Sequence, residues 1–154
     1  MSNISTAYDA IKSRMVALFP SAIQLVNPYD VEENSDPALK LGWGIAFGSG
    51  SNSRRELSCR LSVERTMTIV FTRARYRSEF SILQQETNEK LLFEDQYTLI
   101  KDLEKTPMIN NAVSGITVFT FESDGGVESV VSDSDAYIKL VSEFTLEYFE
   151  NLEP

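Results

Sequence analysis

Along residues 56 to 73, ELSCRLSVERTMTIVFTR, apolar side chains occupy every second position: Leu57, Cys59, Leu61, Val63, Met67, Ile69 and Phe71, with Arg65 alone breaking the row. A two-residue period predicts a β-strand with one face turned to a core. At ~3.3 Å per residue the unbroken stretch would reach on the order of 55 Å, whereas strands in globular domains usually stop at ~10 residues. The excess length suggests a strand that continues from its own core into a surface used for assembly.

Upstream, Tyr8, Ile11, Met15, Leu18 and Phe19 recur at three- and four-residue steps and predict a first helix, with Thr6 and Asp9 placed as a capping box and Pro20 as its end. AIQLV (22–26) predicts a short strand, NPYDVEENSDP a turn-rich acidic loop, LGWGIAFG (41–48) a second strand, and GSGSNSRR a flexible connection. After RARYRSEFS the period becomes helical from about Glu86 to Lys105. Leu92, Phe93, Tyr97, Leu99, Ile100 and Leu103 form its apolar stripe, Glu94, Asp95, Thr98, Lys101 and Asp102 its polar side, and Pro107 closes it. GITVFTFE, the turn SDGG, and GVESVVSD predict a hairpin, and Ile138, Leu140, Phe144, Leu146 and Tyr148 alternate in a last strand. The expected fold is α+β: an antiparallel or mixed sheet with two amphipathic helices packed on one face. A chain of 154 residues buries roughly 70% of its unfolded surface, so one domain, 1–154, needs no disulfide or metal to hold it.

Composition narrows the function classes. Apolar content of 42% with 24% charged residues is ordinary for a globular domain. No apolar run approaches the ~18 residues of a membrane helix, and the N-terminal MSNISTAYDAIKSR lacks a secretory core, so a soluble cytosolic protein is expected, with no membrane partner. The single Cys59, on the apolar face of the alternating stretch, reads as a core residue rather than a nucleophile. With no histidine in the chain, catalytic triads, histidine-zinc sites and imidazole bases are excluded. Paired carboxylates remain as the acid-base option, against a background of 23 Asp and Glu in which chance neighbours are expected. Asp30, Glu32, Asn34 and Asp36 have calcium-loop spacing, but Ser35 and Leu41 stand where a glycine and a bidentate Glu are needed. GWGIAFGSGSNS clusters glycines after a strand without the spacing of a phosphate loop. No catalytic residue, metal or cofactor is therefore assigned.

Charge is unevenly spread over a chain of net −9. Seven arginines between Arg54 and Arg77 face two glutamates, whereas from Asn111 to Pro154 nine carboxylates face Lys139 alone. RARYR (73–77) interleaves charge with an aromatic and would suit a nucleic-acid backbone, a guarded strand edge or a protein interface. The acidic C-terminal third favours the protein interface.

AYDAIKSRMVALFP, NPYDVEEN before LKLGWGIAFGSGSNSRR, LSCRLSVERTMTIVFTR, FEDQYTLIKDLEK and EFTLEYFE together resemble the small tail terminator, or tail-completion, proteins of long-tailed bacteriophages. The resemblance spans Ala7 to Glu150 through diffuse similarity and element order, with no sharp motif. It implies a virion structural protein, not an enzyme, assembled in the host cytoplasm into a homo-oligomeric ring, commonly of six subunits. The ring would cap the head-proximal end of the tail tube, stop polymerisation and offer a docking surface to the head connector or head-closure protein. DNA would pass through the hole without being read. Candidate subunit-interface residues are Arg54, Arg55, Arg73, Arg75 and Arg77 on one side and Asp133, Asp135, Glu143 and Glu147 on the other. The rival readings are another head-tail joining or tail-tube subunit, a small α+β module binding a peptide or ligand, and a carboxylate-only hydrolase.

Overall fold

The computed structural model describes residues 3–56, 60–74, 82–105, 116–130 and 137–151, of which 52–56, 60, 82–85, 104–105, 116–119 and 151 are described by backbone. In chain order the elements are α1 (Asn3–Leu18), β1 (Ile23–Gln24), a 3-10 turn (Val31–Glu33), α2 (Asp36–Lys40), β2 (Leu41–Glu56), β3 (Arg60–Ala74), α3 (Ile82–Lys105), β4 (Ile116–Val130) and β5 (Tyr137–Asn151). The strands form one mixed sheet in the order β1-β2-β3-β5-β4, with β1 parallel to β2 and the other neighbours antiparallel. This is the α+β architecture that the alternation predicts.

The long alternating stretch is therefore not one strand running out of the core. Its described part, β3, is paired on both sides over its whole length, from Arg60 opposite Glu56 and Asn151 to Arg73 opposite Leu41 and Ile138. Leu57 and Cys59 lie outside the described residues. The length of β3 is accounted for within the chain. It faces partners that are equally long, and the 16 residues of α1 and 24 of α3 span ~24 and ~36 Å on the same face. That face holds the main core: Trp43, Ile45, Val63, Met67, Ile69, Phe71, Leu140, Phe144 and Tyr148 from the sheet meet Ala7, Ile11 and Met15 of α1 and Leu92 and Leu99 of α3. Arg65, the exception to the apolar row, shares this face and is satisfied there: Nε donates to the Tyr148 hydroxyl (3.2 Å) and a terminal nitrogen to the Gly48 carbonyl (3.2 Å).

Part of the second face is also covered. Leu25, Val31, Ala38 and Leu39 pack on Val70, Val130 and Tyr137. The short α2, which the turn-rich composition of its segment conceals, is tied down by Thr72 Oγ1 donating to the Ala38 carbonyl (2.9 Å) and by the Tyr137 hydroxyl donating to Asp36 Oδ1 (3.0 Å). Gly42 is required here, since a Cβ at that position would lie 2.1 Å from the Ala38 carbonyl oxygen.

Several boundaries differ from the expectation. The first helix starts at Asn3, so Thr6 and Asp9 sit inside it and form no capping box. Instead, the Asn3 and Ile4 N–H groups donate to the Glu150 carboxylate (3.1 and 3.3 Å), a cap brought from β5 that also suits the positive helix end. GSGSNSRR is strand rather than flexible connection, because the alternating β3 beside it supplies hydrogen-bond partners to Glu56 and overrides weak local propensity. SDGG is not a hairpin turn. β4 runs through it along β5, and the extra residue is taken up between Asp124 and Val127, where Gly126 adopts φ 73° and Asp124 Oδ1 accepts its N–H (2.8 Å). β4 carries two further register shifts and β2 two, whereas β3 and β5 pair without one.

Candidate interaction surfaces

Beyond the segment that covers its second face, the described side chains of the sheet present a polar surface that includes three glutamates. Even-numbered residues of β3 and odd-numbered residues of β5 point there: Glu64 opposite Glu147, Thr66 opposite Thr145, and Thr68 opposite Glu143. Glu64 and Glu143 are exposed and Glu147 half-buried. Like charges directly across a strand pair, as at Glu64 and Glu147, cost stability. At the covered end of this face Lys139 reaches Glu128 (3.8 Å).

Beside this surface stands the loop that covers the sheet, held by two asparagines. Asn34 Nδ2 donates to the carbonyls of Asn27 (2.8 Å) and Val31 (3.0 Å), its Oδ1 accepts the Asn27 N–H (3.0 Å), and Asn27 Oδ1 accepts the N–H groups of Tyr29 and Asp30. Tyr29 and Val26 are left exposed on it. Pro28, Tyr29, Val31, Val70, Lys139 and Val141 border an open groove of about 350 Å³. On the same loop a hydrogen bond that Asp30 donates to Glu32, with burial and the Glu33 and Glu32 charges adding, raises the Asp30 carboxyl above its ordinary range. A backbone N–H, followed by the bond with Asp30, holds Glu32 below its own. The calcium-like spacing is not a calcium loop. Val31–Glu33 is a 3-10 turn, Asp36 opens α2, the Asn34 amide is engaged by the backbone, and no group of three metal-ligating side chains occurs among the described residues.

Of the candidate interface residues, the described ones are spread over separate parts of the sheet. Arg54 and Arg55 lie on β2, opposite Ser62 and Leu61 at the far end of the β2–β3 pair. Arg75, Arg77, Asp133 and Asp135 lie outside the described residues. Glu143 and Glu147 are on an interior strand, on the uncovered sheet face rather than at an edge. Arg73 is committed within the chain: its guanidinium makes two 2.9 Å bonds to the carboxylate of Asp95 on α3. Arg14 of α1 grips Asp102, about two helical turns further along α3, in the same bidentate way.

These two ion pairs correct the phase of α3. Asp95 and Asp102 belong to its inward side with Leu92, Gln96 and Leu99, while Phe93 and Tyr97 are exposed. Gln96 Nε2 bridges Ser142 Oγ (2.9 Å) on β5 and Asp124 Oδ2 (3.1 Å) on β4. Apolar periodicity alone misses this arrangement. A seven-residue spacing of Asp95 and Asp102 around Leu99 is the one signal for it in the sequence. No helix among the described residues is long and apolar enough to cross a membrane. No protein-family model matches the chain, and no curated protein does.

Proposed function

We propose that the protein is a structural assembly subunit of the tail-terminator type, which closes the head-proximal end of a bacteriophage tail tube as a ring and offers the head connector a docking surface. The observation that carries the reading is the uncovered acidic sheet face of Glu64, Glu143 and Glu147 on a sheet whose other face is buried under two helices. Turned toward the hole, carboxylates repel phosphate, so DNA slides past without being held or read. The residue resemblance from Ala7 to Glu150 supplies the ring and its partners, and the α+β plan is compatible with it. Glu143 and Glu147 then line the hole rather than pair with a neighbour's arginines, which replaces the interface role expected from charge asymmetry. The protein is assigned no catalytic role.

The test is the solution mass of the purified chain together with negative-stain images. Closed rings with a central hole support the proposal. A single chain at all concentrations, or open filaments, sinks it. A small-ligand module is the second reading, favoured by the groove beside Tyr29, and a monomer that binds a ligand there would establish it.

A further inference from the structure

We propose that the Asp124–Gly125 bond of β4 is a covalent modification site, at which the aspartate isomerises to isoaspartate through a cyclic imide, and that Gln96 of α3 restrains the reaction. Asp124 is the one Asp or Asn of the sequence that a glycine follows. Any other residue would set a Cβ beside the attacking amide nitrogen. Both residues are exposed, and a Cβ at position 125 would meet only Glu128 Oε1, at 3.3 Å, so the nitrogen is open to approach. The strand ladder does not hold this stretch. The β4–β5 register passes from Asp124 opposite Ser142 to Val127 opposite Leu140, which leaves Gly125 and Gly126 without Cα partners, and Gly126 takes φ 73°.

The Asp124 carboxylate is held in two directions. Oδ1 accepts the Gly126 N–H at 2.8 Å, a bond that closes a ring through Cγ, Cβ, Cα, the carbonyl carbon and the Gly125 nitrogen. Those atoms are also the ring of the imide, so this bond gathers the reactants. Oδ2 accepts from Gln96 Nε2 at 3.1 Å, and the buried Gln96 is fixed in turn by the same nitrogen donating to Ser142 Oγ at 2.9 Å. The nitrogen must attack perpendicular to the carboxyl plane. Rotating the carboxyl to present that face breaks its bond to Gln96, and this is the restraint that α3 supplies.

In the reaction the Gly125 nitrogen bonds to Cγ of the protonated carboxyl, and the hydroxyl leaves with the amide proton as water. Water then opens the imide. Addition at Cγ restores aspartate, whereas addition at the Asp124 main-chain carbonyl breaks its bond to the Gly125 nitrogen and leaves the chain running through Cβ and Cγ. Mass is unchanged, and no cofactor or oxidant is consumed. The main chain gains one methylene, which a bulge with unpaired residues can take in. Gln96 loses its acceptor on β4 and keeps the one on β5, so isomerisation unties α3 from the sheet edge.

Ageing the purified chain near neutral pH, with peptide mapping and enzymatic methylation of isoaspartate, tests the proposal. The wild type is expected to give an isomer of unchanged mass in the peptide that holds Asp124, more slowly than the chain unfolded in urea. Gly125→Ala should suppress it. Gln96→Met and Gln96→Glu each remove the donor and should accelerate it about fivefold, the factor that one ordinary hydrogen bond represents. Melting temperatures check folding, and two variants are made so that a fold lost in one leaves the other to decide. No isomer at Asp124 in the folded wild type while the unfolded chain converts, isomer appearing first at another Asp or Asn, or folded Gln96 variants that react at the wild-type rate would each overturn the proposal.

Discussion

Replacing Arg73 is the sharpest check on the corrected packing of α3. The guanidinium makes two 2.9 Å bonds to the Asp95 carboxylate, with the two side chains 21% and 14% exposed. Exposed ion pairs contribute ~0.2–1 kcal/mol, and breaking a fully buried one costs ~3–5 kcal/mol. A bidentate pair in this intermediate setting should fall between, at about 2 kcal/mol for Arg73→Met, which keeps the stem and strips both bonds. Asp95→Asn, which keeps the shape and one acceptor, should cost about 1 kcal/mol. For a chain of this size 2 kcal/mol corresponds to a melting-temperature loss of roughly 4–8 °C. Urea unfolding of both single variants and the double variant closes the cycle, with an expected coupling of about 1–2 kcal/mol. A coupling below about 0.3 kcal/mol would show that the two groups do not act on each other in solution, and the inward placement of Asp95 would lose its support. Arg73→Glu, which a purely intermolecular role would leave folded, should destabilise the monomer further because it sets a second carboxylate against Asp95.

Other outcomes are checked with simpler measurements. Leu140→Ala, at a fully buried core position, should lower unfolding free energy by about 2–5 kcal/mol, and a loss under 1 kcal/mol would contradict its burial. Glu150→Ala removes the acceptor of the first two N–H groups of α1 and should cost about 1 kcal/mol, with hydrogen exchange accelerating at the helix start. Gly126→Ala, at φ 73°, should cost about 1–2 kcal/mol, whereas a stabilising effect would argue against the left-handed bulge. The wild type should not shift short duplex DNA in a gel at low salt. The triple variant Glu64→Lys, Glu143→Lys, Glu147→Lys should retain it in a salt-sensitive way, and retention by the wild type would remove the acidic face as a passive channel lining.

What could be read from the chain is what depends on near neighbours. β3, β5 and α1 show their periods because each buries one regular face, and Ile11, Met15, Met67, Ile69, Phe71, Leu140 and Phe144 are all core residues. α3 was legible as a helix but not in phase. Phe93 and Tyr97 are apolar and outward, and Asp95 and Asp102 are charged and inward because arginines from β3 and α1 meet them. The seven-residue spacing of Asp95 and Asp102 marks a common helix side, but nothing local to α3 announces arginine partners that distant in sequence. GSGSNSRR and SDGG carry loop and turn chemistry, yet each is held extended by a long regular strand beside it, so neighbour pairing decides against local preference. Of the candidate interface residues, the chain could mark charge but not direction. Arg73 turned inward to Asp95, and Glu143 and Glu147 turned onto a sheet face.

The register shifts of the sheet fall on β2 and β4, its outer long strands, and on neither of the strands between them. An outer strand knocked out of step every few residues offers a passing chain no continuous row of peptide groups to zip onto. Backbone pairing along these edges is thereby disfavoured, which shifts recognition there from backbone, which is the same in every protein, toward side chains, which are not.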